Sequence, residues 1–264
     1  MSGSVEGSCR YRVSCYHYAE KLFRKLIDLA EKRPCDCIAL SGGIDTSIIL
    51  LAAVERGLRP RGYVVFYEKS VPRDLFYSNY LSKIYGIELV YVMISERDID
   101  YLRRRVIECI GREKIDSHGD GGCVEIRNDI VFYSVLERAT RDNCECIYTG
   151  SGGDELFAGY SFMNNLTSTE LERSIEKMVK GRFPEIEIAR CINAPIEPLF
   201  LRREFIEEAI KTPIECLRRQ DLRGKEILRE ILRSRGLHMI SERTKTPAES
   251  GAGTIAICRS VYDE

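Results

Sequence analysis

Apolar runs alternating with helical stretches between residues 36 and 149 predict an α/β fold, a doubly wound parallel sheet with a helical C-terminal part. Three observations carry this. Four short apolar runs are separated by segments with helical spacing. The first and fourth runs each end in a glycine-rich turn bearing an aspartate. Beyond about residue 160 the strand signals fade and helical patterns dominate. The expected organisation is a nucleotide-binding core over 1–160 and a helical extension over 161–264 that completes the site, the two forming one compact unit.

Taken in order, residues 1–15 read as irregular. A helix over 16–33 places Tyr18, Leu22, Leu26, Ile27 and Leu29 on one side, and Pro34 stops it. The first strand covers 36–40. A helix over 45–57 follows, with Gly57 as its cap. The second strand is 62–67, a helix runs over 74–85 before Gly86, and the third strand is 88–93. Another helix covers 97–110. Residues 111–122 carry four glycines among charges and read as a mobile loop, from which His118 would reach substrate. A helix over 125–140 leads to the fourth strand, 145–149. Later helices are expected near 168–180, 202–211, 214–219 and 223–235. Right-handed crossovers would bring the loops after strands one and four to the same carboxyl edge.

The turn after strand one reads Ser41-Gly42-Gly43-Ile44-Asp45-Thr46-Ser47. Glycines let backbone approach an anion, and a helix start points free N–H groups and a positive dipole at it. The lysine of the common phosphate loop, G-x-x-x-x-G-K-[ST], is missing, and an aspartate stands in its place. A carboxylate about 4 Å from a phosphate is repelled by roughly 1–4 kcal/mol, and a bridging Mg²⁺ reverses that sign. The loop therefore predicts ATP, Mg²⁺ and a pyrophosphate product. Nucleotide contacts fall on Leu40, Ser41, Gly42, Gly43, Ile44, Asp45, Thr46, Ser47, Val65, Thr149 and Gly150. The turn after strand four, Thr149-Gly150-Ser151-Gly152-Gly153-Asp154-Glu155, repeats the logic, so Asp45 and Asp154 are the expected metal ligands.

Net charge is −1, with 44% hydrophobic and 31% charged residues, as in a globular chain without a strongly basic nucleic-acid surface. No apolar run suggests a membrane span and the first residues lack a signal-peptide pattern, so the expected location is cytoplasmic. Many charges beside a single glutamine hint at a thermophile. The eleven cysteines include two C-x-C pairs, Cys35/Cys37 and Cys144/Cys146, at the starts of strands one and four. They read as small core residues, as disulfides, or as a metal site, the last least favoured by this spacing. His17, His118 and His238 share no metal spacing.

Ser41-Gly42-Gly43-Ile44-Asp45 together with Gly152-Gly153-Asp154-Glu155-Leu156-Phe157-Ala158-Gly159-Tyr160 resembles the synthetase domain of the asparagine synthetase family, a pyrophosphate-loop ATPase of the adenine nucleotide α-hydrolase type. The likeness continues through Glu125-Ile126-Arg127-Asn128, Lys225-Glu226-Ile227-Leu228-Arg229 and Arg243-Thr244-Lys245-Thr246-Pro247, and covers about residues 35–255. It implies an amide-forming ligase in which ATP activates a carboxylate, aspartate or a related acid, as an acyl-adenylate that ammonia or an amine then attacks. Lys245, Asp45, Asp154 and Arg243 would be catalytic, and Arg127, Ser151, Asp154 and Glu155 would bind substrate. Competing readings are an RNA-modifying enzyme of the same loop class and a nucleotide-binding homologue with impaired catalysis.

Three departures stand out. Ser151 occupies a position where the family has an acid that deprotonates the incoming amine. Pro198-Leu199-Phe200-Leu201-Arg202 ends in a cation where the family has aspartate. Ser2 replaces the N-terminal cysteine of a glutaminase domain, so nitrogen is expected from ammonia, an amine, or a separate glutaminase subunit. A homodimer is possible, nucleic acid is not expected, and neither is a membrane.

Overall fold

The computed structural model describes residues 4–116, 120–218 and 224–257. His118 and its expected reach to substrate lie outside them. The chain runs α1 (Ser4–Lys32), β1 (Cys37–Ala39), α2 (Ile44–Glu55), β2 (Arg61–Tyr67), α3 (Arg73–Tyr85), β3 (Leu89–Ile94), α4 (Ile99–Ile110), α5 (Arg112–Ile115), α6 (Cys123–Arg141) and β4 (Ile147–Tyr148). It continues through α7 (Gly153–Leu156), α8 (Ser168–Met178), α9 (Pro184–Cys191), β5 (Ile196–Glu197), α10 (Arg203–Ala209), α11 (Glu226–Ser234), α12 (His238–Ser241) and α13 (Ala248–Ala252).

The strands form a five-stranded sheet in the order β3-β2-β1-β4-β5. Every pairing is parallel. Strand β1 therefore lies beside β4, and the two glycine turns leave neighbouring strands at one edge. That is where the order reverses direction, the crevice in which open α/β sheets bind ligands. One apolar layer joins α1, α2 and α11 through Leu22, Leu26, Ile48, Leu51, Leu228 and Ile231. The other joins α4, α6 and α9 to the opposite sheet face through Val106, Ile126, Ile130 and Ile188. Helix α2 is apolar nearly all round because the sheet and two helices enclose it.

Several boundaries moved for identifiable reasons. The first helix begins at Ser4, so the stretch expected to be irregular is helical. Strand β4 spans two residues rather than five because the Asp36 carboxylate, not the ladder, accepts the N–H groups of Glu145 (3.2 Å) and Cys146 (2.9 Å). The helix expected over 214–219 is a three-residue 3-10 turn, 214–216, after Pro213. Strand β5 was not expected; two residues after Pro195 give no alternation to read. Short helices α9, α12 and α13 were missed likewise. Among the described residues no helix is long and apolar enough to cross a membrane.

The C-x-C cysteines resolve to disulfides. Cys35 joins Cys146 and Cys37 joins Cys144 across β1 and β4. Cys15–Cys216 and Cys109–Cys191 tie α1 and α4 to later segments.

Candidate active site

The first turn is a shaped loop with an open helix start. Gly42 sits at φ +64°, and a Cβ there would lie 2.5 Å from the Cβ of Tyr77, so glycine is required both for the conformation and for the packing of α3. Gly43 begins α2 with no side-chain cap, leaving its first N–H groups available. The Ser47 hydroxyl donates to the Gly43 carbonyl at 2.6 Å, and Ser41 Oγ accepts from the Gly43 N–H at 3.2 Å. Ser47 is wholly buried, so it shapes the loop from within, whereas Ser41 is partly open. Ser78 donates to the Leu40 carbonyl (2.7 Å) and fixes the strand end. Val65 is buried in β2, and Ile44 and Thr46 are nearly closed off.

The second turn packs onto the first. A Cβ at Gly150 would meet the Asp45 and Thr46 side chains at 3.1 Å, and one at Gly153 would run into the Asp45 carboxylate. Asp45 and Asp154 therefore converge. A lysine joins them: Lys225 Nζ pairs with Asp45 and lies 2.7 Å from Asp154 Oδ1, while Lys245 Nζ lies 2.9 Å from the same Asp154 oxygen. Lys245 also sits 4.2 Å above the Tyr160 ring, a cation–π contact. Burial pushes the Asp45 carboxyl up despite Lys225. Burial would raise Asp154 too, but Lys225 and Lys245 together more than offset it and hold the group low.

Lys225 did not stand out as a site residue in sequence, although it opens the Lys225-Glu226-Ile227-Leu228-Arg229 string. Its backbone is at φ +60°, sparsely populated for a residue with a side chain. Its N–H donates to the Phe157 carbonyl at 2.8 Å, and Gly224 before it presses against Ala158 too closely for any Cβ. The strained residue is thus locked to the second turn. Only 6% of its side chain is exposed, and burial is outweighed by its two carboxylate partners, which hold it protonated.

The C-terminal segment folds back over the sheet edge. Arg243, buried, donates to the Ser41 carbonyl (2.9 Å), pairs with buried Asp74 on α3, and stacks 4.3 Å over the Tyr77 ring. Burial pushes the Asp74 carboxyl up to about 6, outweighing Arg243. Arg243 thus braces the loop and delivers Lys245. Gly251 leaves no room for a Cβ over the Asp74 carboxylate. Thr254 donates to the Arg127 carbonyl (2.9 Å), and Asn128 accepts the Glu249 N–H (3.2 Å), fastening the segment to the start of α6. Arg127 points its guanidinium toward the Ile255 carbonyl, 3.5 Å away, and is half-buried at this rim.

Ser151 is buried, with its hydroxyl 3.0 Å from that of Thr149. Beside it lies Glu185, from the first turn of α9; burial raises the Glu185 carboxyl, and a hydrogen bond from Ser151 partly counters this. Tyr160 donates to Glu155 at 2.5 Å, and burial raises the Glu155 carboxyl as well. Arg202 pairs with buried Glu197 on β5.

Donor chemistry fits both expected groups. Asp45 Oδ1 is a buried carboxylate oxygen without a hydrogen-bond partner, and Asp154 lies across Lys225 from it; hard divalent cations take such oxygens. The uncapped N–H groups of α2 and the two lysines suit a polyphosphate.

The asparagine synthase family model matches residues 29–190. A Methanocaldococcus jannaschii protein named "Putative asparagine synthetase (glutamine-hydrolyzing) 1" is 28% identical over 188 residues, which is 67% of this chain and 32% of the relative. The chain thus spans about a third of that relative's length. Among solved structures, NMN synthetase from Francisella tularensis aligns over 89% of this chain and 98% of its own, at 16% identity and a TM-score of 0.37.

Proposed function

This chain belongs to the asparagine synthase family, whose members use ATP, and we propose that it is an AMP-forming carbon–nitrogen ligase. The observation that carries the reading is the meeting of Asp45 and Asp154, from two separate glycine turns, around Lys225 and Lys245. A carboxylate oxygen of the substrate bonds to the α-phosphorus of ATP, and the bond to the bridging oxygen breaks to release pyrophosphate. Ammonia or an amine then bonds to the acyl carbon, AMP departs, and the nitrogen sheds a proton.

The residues divide this work. Ser41, Gly42, Gly43 and the start of α2 place N–H donors where charge accumulates on pyrophosphate. Asp45 and Asp154 would hold Mg²⁺, which supplies charge neutralisation on the departing diphosphate. Lys245, held by Asp154 and Tyr160, reaches the acyl side, and Arg243 sets its approach. Aspartate or a related acid is the proposed carboxylate, bound with the help of Arg127. Disulfides such as Cys35–Cys146 and Cys37–Cys144 alongside a charge-rich composition support the thermophile reading, since intracellular disulfides accumulate in hyperthermophiles.

The test is pyrophosphate release from ATP-Mg²⁺ against a panel of carboxylates, with and without ammonium or simple amines. Release that depends on both a carboxylate and Mg²⁺ supports the ligase. Release only with tRNA points to RNA modification, and ATP binding without turnover in any mixture refutes catalysis.

A further inference from the structure

At the far end of α6 from the two glycine turns, a cavity of about 500 Å³ lies between α4, α6 and the residues just after α9. Helix α6 starts beside the site rim, where Thr254 donates to the Arg127 carbonyl, and ends at Arg141. The Asp142 carbonyl that follows accepts from Arg61, the first residue of β2, at 3.2 Å. This end therefore lies at the amino edge of the sheet, whereas the turns leave its carboxyl edge. Glu137, in the cavity wall, is ten residues from Arg127, about 15 Å along the helix. The volume falls within the range of small-molecule sites.

A buried phenol organises the charges in the wall. Tyr133 on α6 is 1% exposed. Its hydroxyl accepts from Arg105 Nε on α4 (3.0 Å) and donates to Glu137 Oε1 (3.2 Å). The same carboxylate oxygen accepts from the Tyr101 hydroxyl (2.8 Å) and from Arg141 Nη2 (2.9 Å). Glu137 is thus satisfied, and Arg141 balances its charge. Arg105 also pairs with Glu108. Among the described residues these bonds use only part of the N–H capacity of the two guanidinium groups. Arg138 and Arg141 in the last turn of α6 offset the negative end of the helix.

Thr140 gives an independent sign. A hydroxyl inside a helix ordinarily turns to the carbonyl one turn back, as Ser134 does to Ile130 at 2.7 Å. Thr140 lines the cavity, and its Oγ1 atom is enclosed with no hydrogen-bond partner among the described residues. An enclosed polar atom left unmade costs stability. Ile192 and the Tyr101 ring supply apolar wall. Tyr101 meets Tyr133 edge-on at 6.4 Å between centroids and is 39% exposed, which leaves room for a further ring to stack. The Cys109–Cys191 disulfide joins the last turn of α4 to the residue before Ile192, so the walls are set before anything binds.

We propose that this cavity binds a planar aromatic ring bearing an oxyanion, either a carboxylate or a phosphate. Spare N–H groups of Arg105 and Arg141 and the Thr140 hydroxyl donate to the anion, while the ring lies against Tyr101 and Ile192. Cations are disfavoured, because Glu137 is already satisfied and two guanidinium groups share the wall. The site makes no use of Asp45, Asp154 or the two lysines, so it stands whether or not the chain is a ligase.

Calorimetric titration and thermal midpoints of the full chain at constant ionic strength test this. The probes are benzoate, phenyl phosphate, inorganic phosphate, benzyl alcohol and benzylammonium. Saturable binding of benzoate or phenyl phosphate, at least about tenfold tighter than the other three, is expected, and the tighter of the two names the anion. Arg105→Gln and Thr140→Val should each weaken that binding, the first by at least about tenfold, as for loss of a charge-assisted hydrogen bond. The Val variant should keep its own thermal midpoint without ligand, since the hydroxyl it removes has no partner. Lys245→Gln should leave the affinity unchanged, which separates the cavity from the nucleotide crevice. Equal binding of benzylammonium or inorganic phosphate, no binding, unchanged affinity in both cavity variants, or lost affinity in Lys245→Gln would overturn the site.

Discussion

Lys225→Met isolates the contact that unites the two acidic turns. Lys225 Nζ pairs with Asp45 and stands 2.7 Å from Asp154 Oδ1, with 6% of its side chain exposed. At an effective dielectric near 20, one such pair at this distance is worth about 6 kcal/mol before desolvation. Desolvation returns several kcal/mol for each ion, so the intact triad contributes little net stability. Deleting the cation is different, because both carboxylates remain enclosed and now repel. Losing one partner of a buried pair costs about 3–5 kcal/mol. At about 2–4 °C per kcal/mol for a chain of this size, the midpoint should fall by about 6–20 °C. Methionine keeps the aliphatic length, so a packing defect adds little. Urea unfolding with and without MgCl₂ checks this. Mg²⁺ should stabilise the variant more than the parent, since the ion then faces two carboxylates with one fewer competing charge. A loss below about 1 kcal/mol, or equal stabilisation of both proteins by Mg²⁺, would show that Asp45 and Asp154 are not held as a coupled pair.

Asp45→Asn should keep the fold and lower pyrophosphate release by at least about 100-fold, the scale of losing one charge-stabilising group at a reacting centre; an unchanged rate would remove Asp45 from the chemistry. Asp74 rises from 3.8 to about 6 on folding, so the folded state holds its proton more tightly than the unfolded one. Its contribution is therefore fully present below pH 3.8 and is lost as pH rises towards 6. The 2.2-unit difference (6 − 3.8) corresponds to about 3 kcal/mol, so parent minus Asp74→Asn stability should fall by that order between pH 4 and 6, and a rising difference would contradict the burial argument. Gly42→Ala forces a Cβ against Tyr77 at φ +64° and should cost about 1–3 kcal/mol together with ATP affinity, read by unfolding and by nucleotide titration. Reduction of the disulfides should lower the unfolding free energy by more than the about 2–4 kcal/mol typical of one bridge; a midpoint indifferent to reductant would refute a structural role for them.

Legibility followed the range of the physical signal. Strands β1 and β2 were readable because burial on both sheet faces writes apolar runs directly into sequence, and edge strand β3 because it keeps an apolar run although Tyr91 and Met93 are exposed. The two glycine turns were readable because close backbone approach leaves few residue choices, as Gly42 and Gly153 show. Strand β5 was not, since its two residues take their place from β4 rather than from any pattern of their own. Disulfides across β1 and β4 required the strand order before the cysteine spacing could select a partner. The harder residues to read were those defined by what reaches them from afar. Lys225 lies 180 residues from Asp45, and in isolation it is one lysine among many. Its one local signal is its place after Gly224, where a left-handed backbone turns it inward.

Charge bookkeeping across the second turn shows why a single position is a poor guide to whether such a site has decayed. Serine at 151 and arginine at 202 each look like a lesion when aligned alone. In three dimensions Arg202 pairs with buried Glu197 on β5, and its charge is balanced there. Ser151 donates to Glu185, so an acid still faces the turn although it arrives from α9. Asp45, Asp154, Lys225 and Lys245 meanwhile keep a crowded set of charges whose desolvation a merely structural turn has no reason to bear. Decay would relax that set first, because any neutral substitution there relieves burial cost. Its persistence keeps the charge arrangement on which the proposed ligase reading rests.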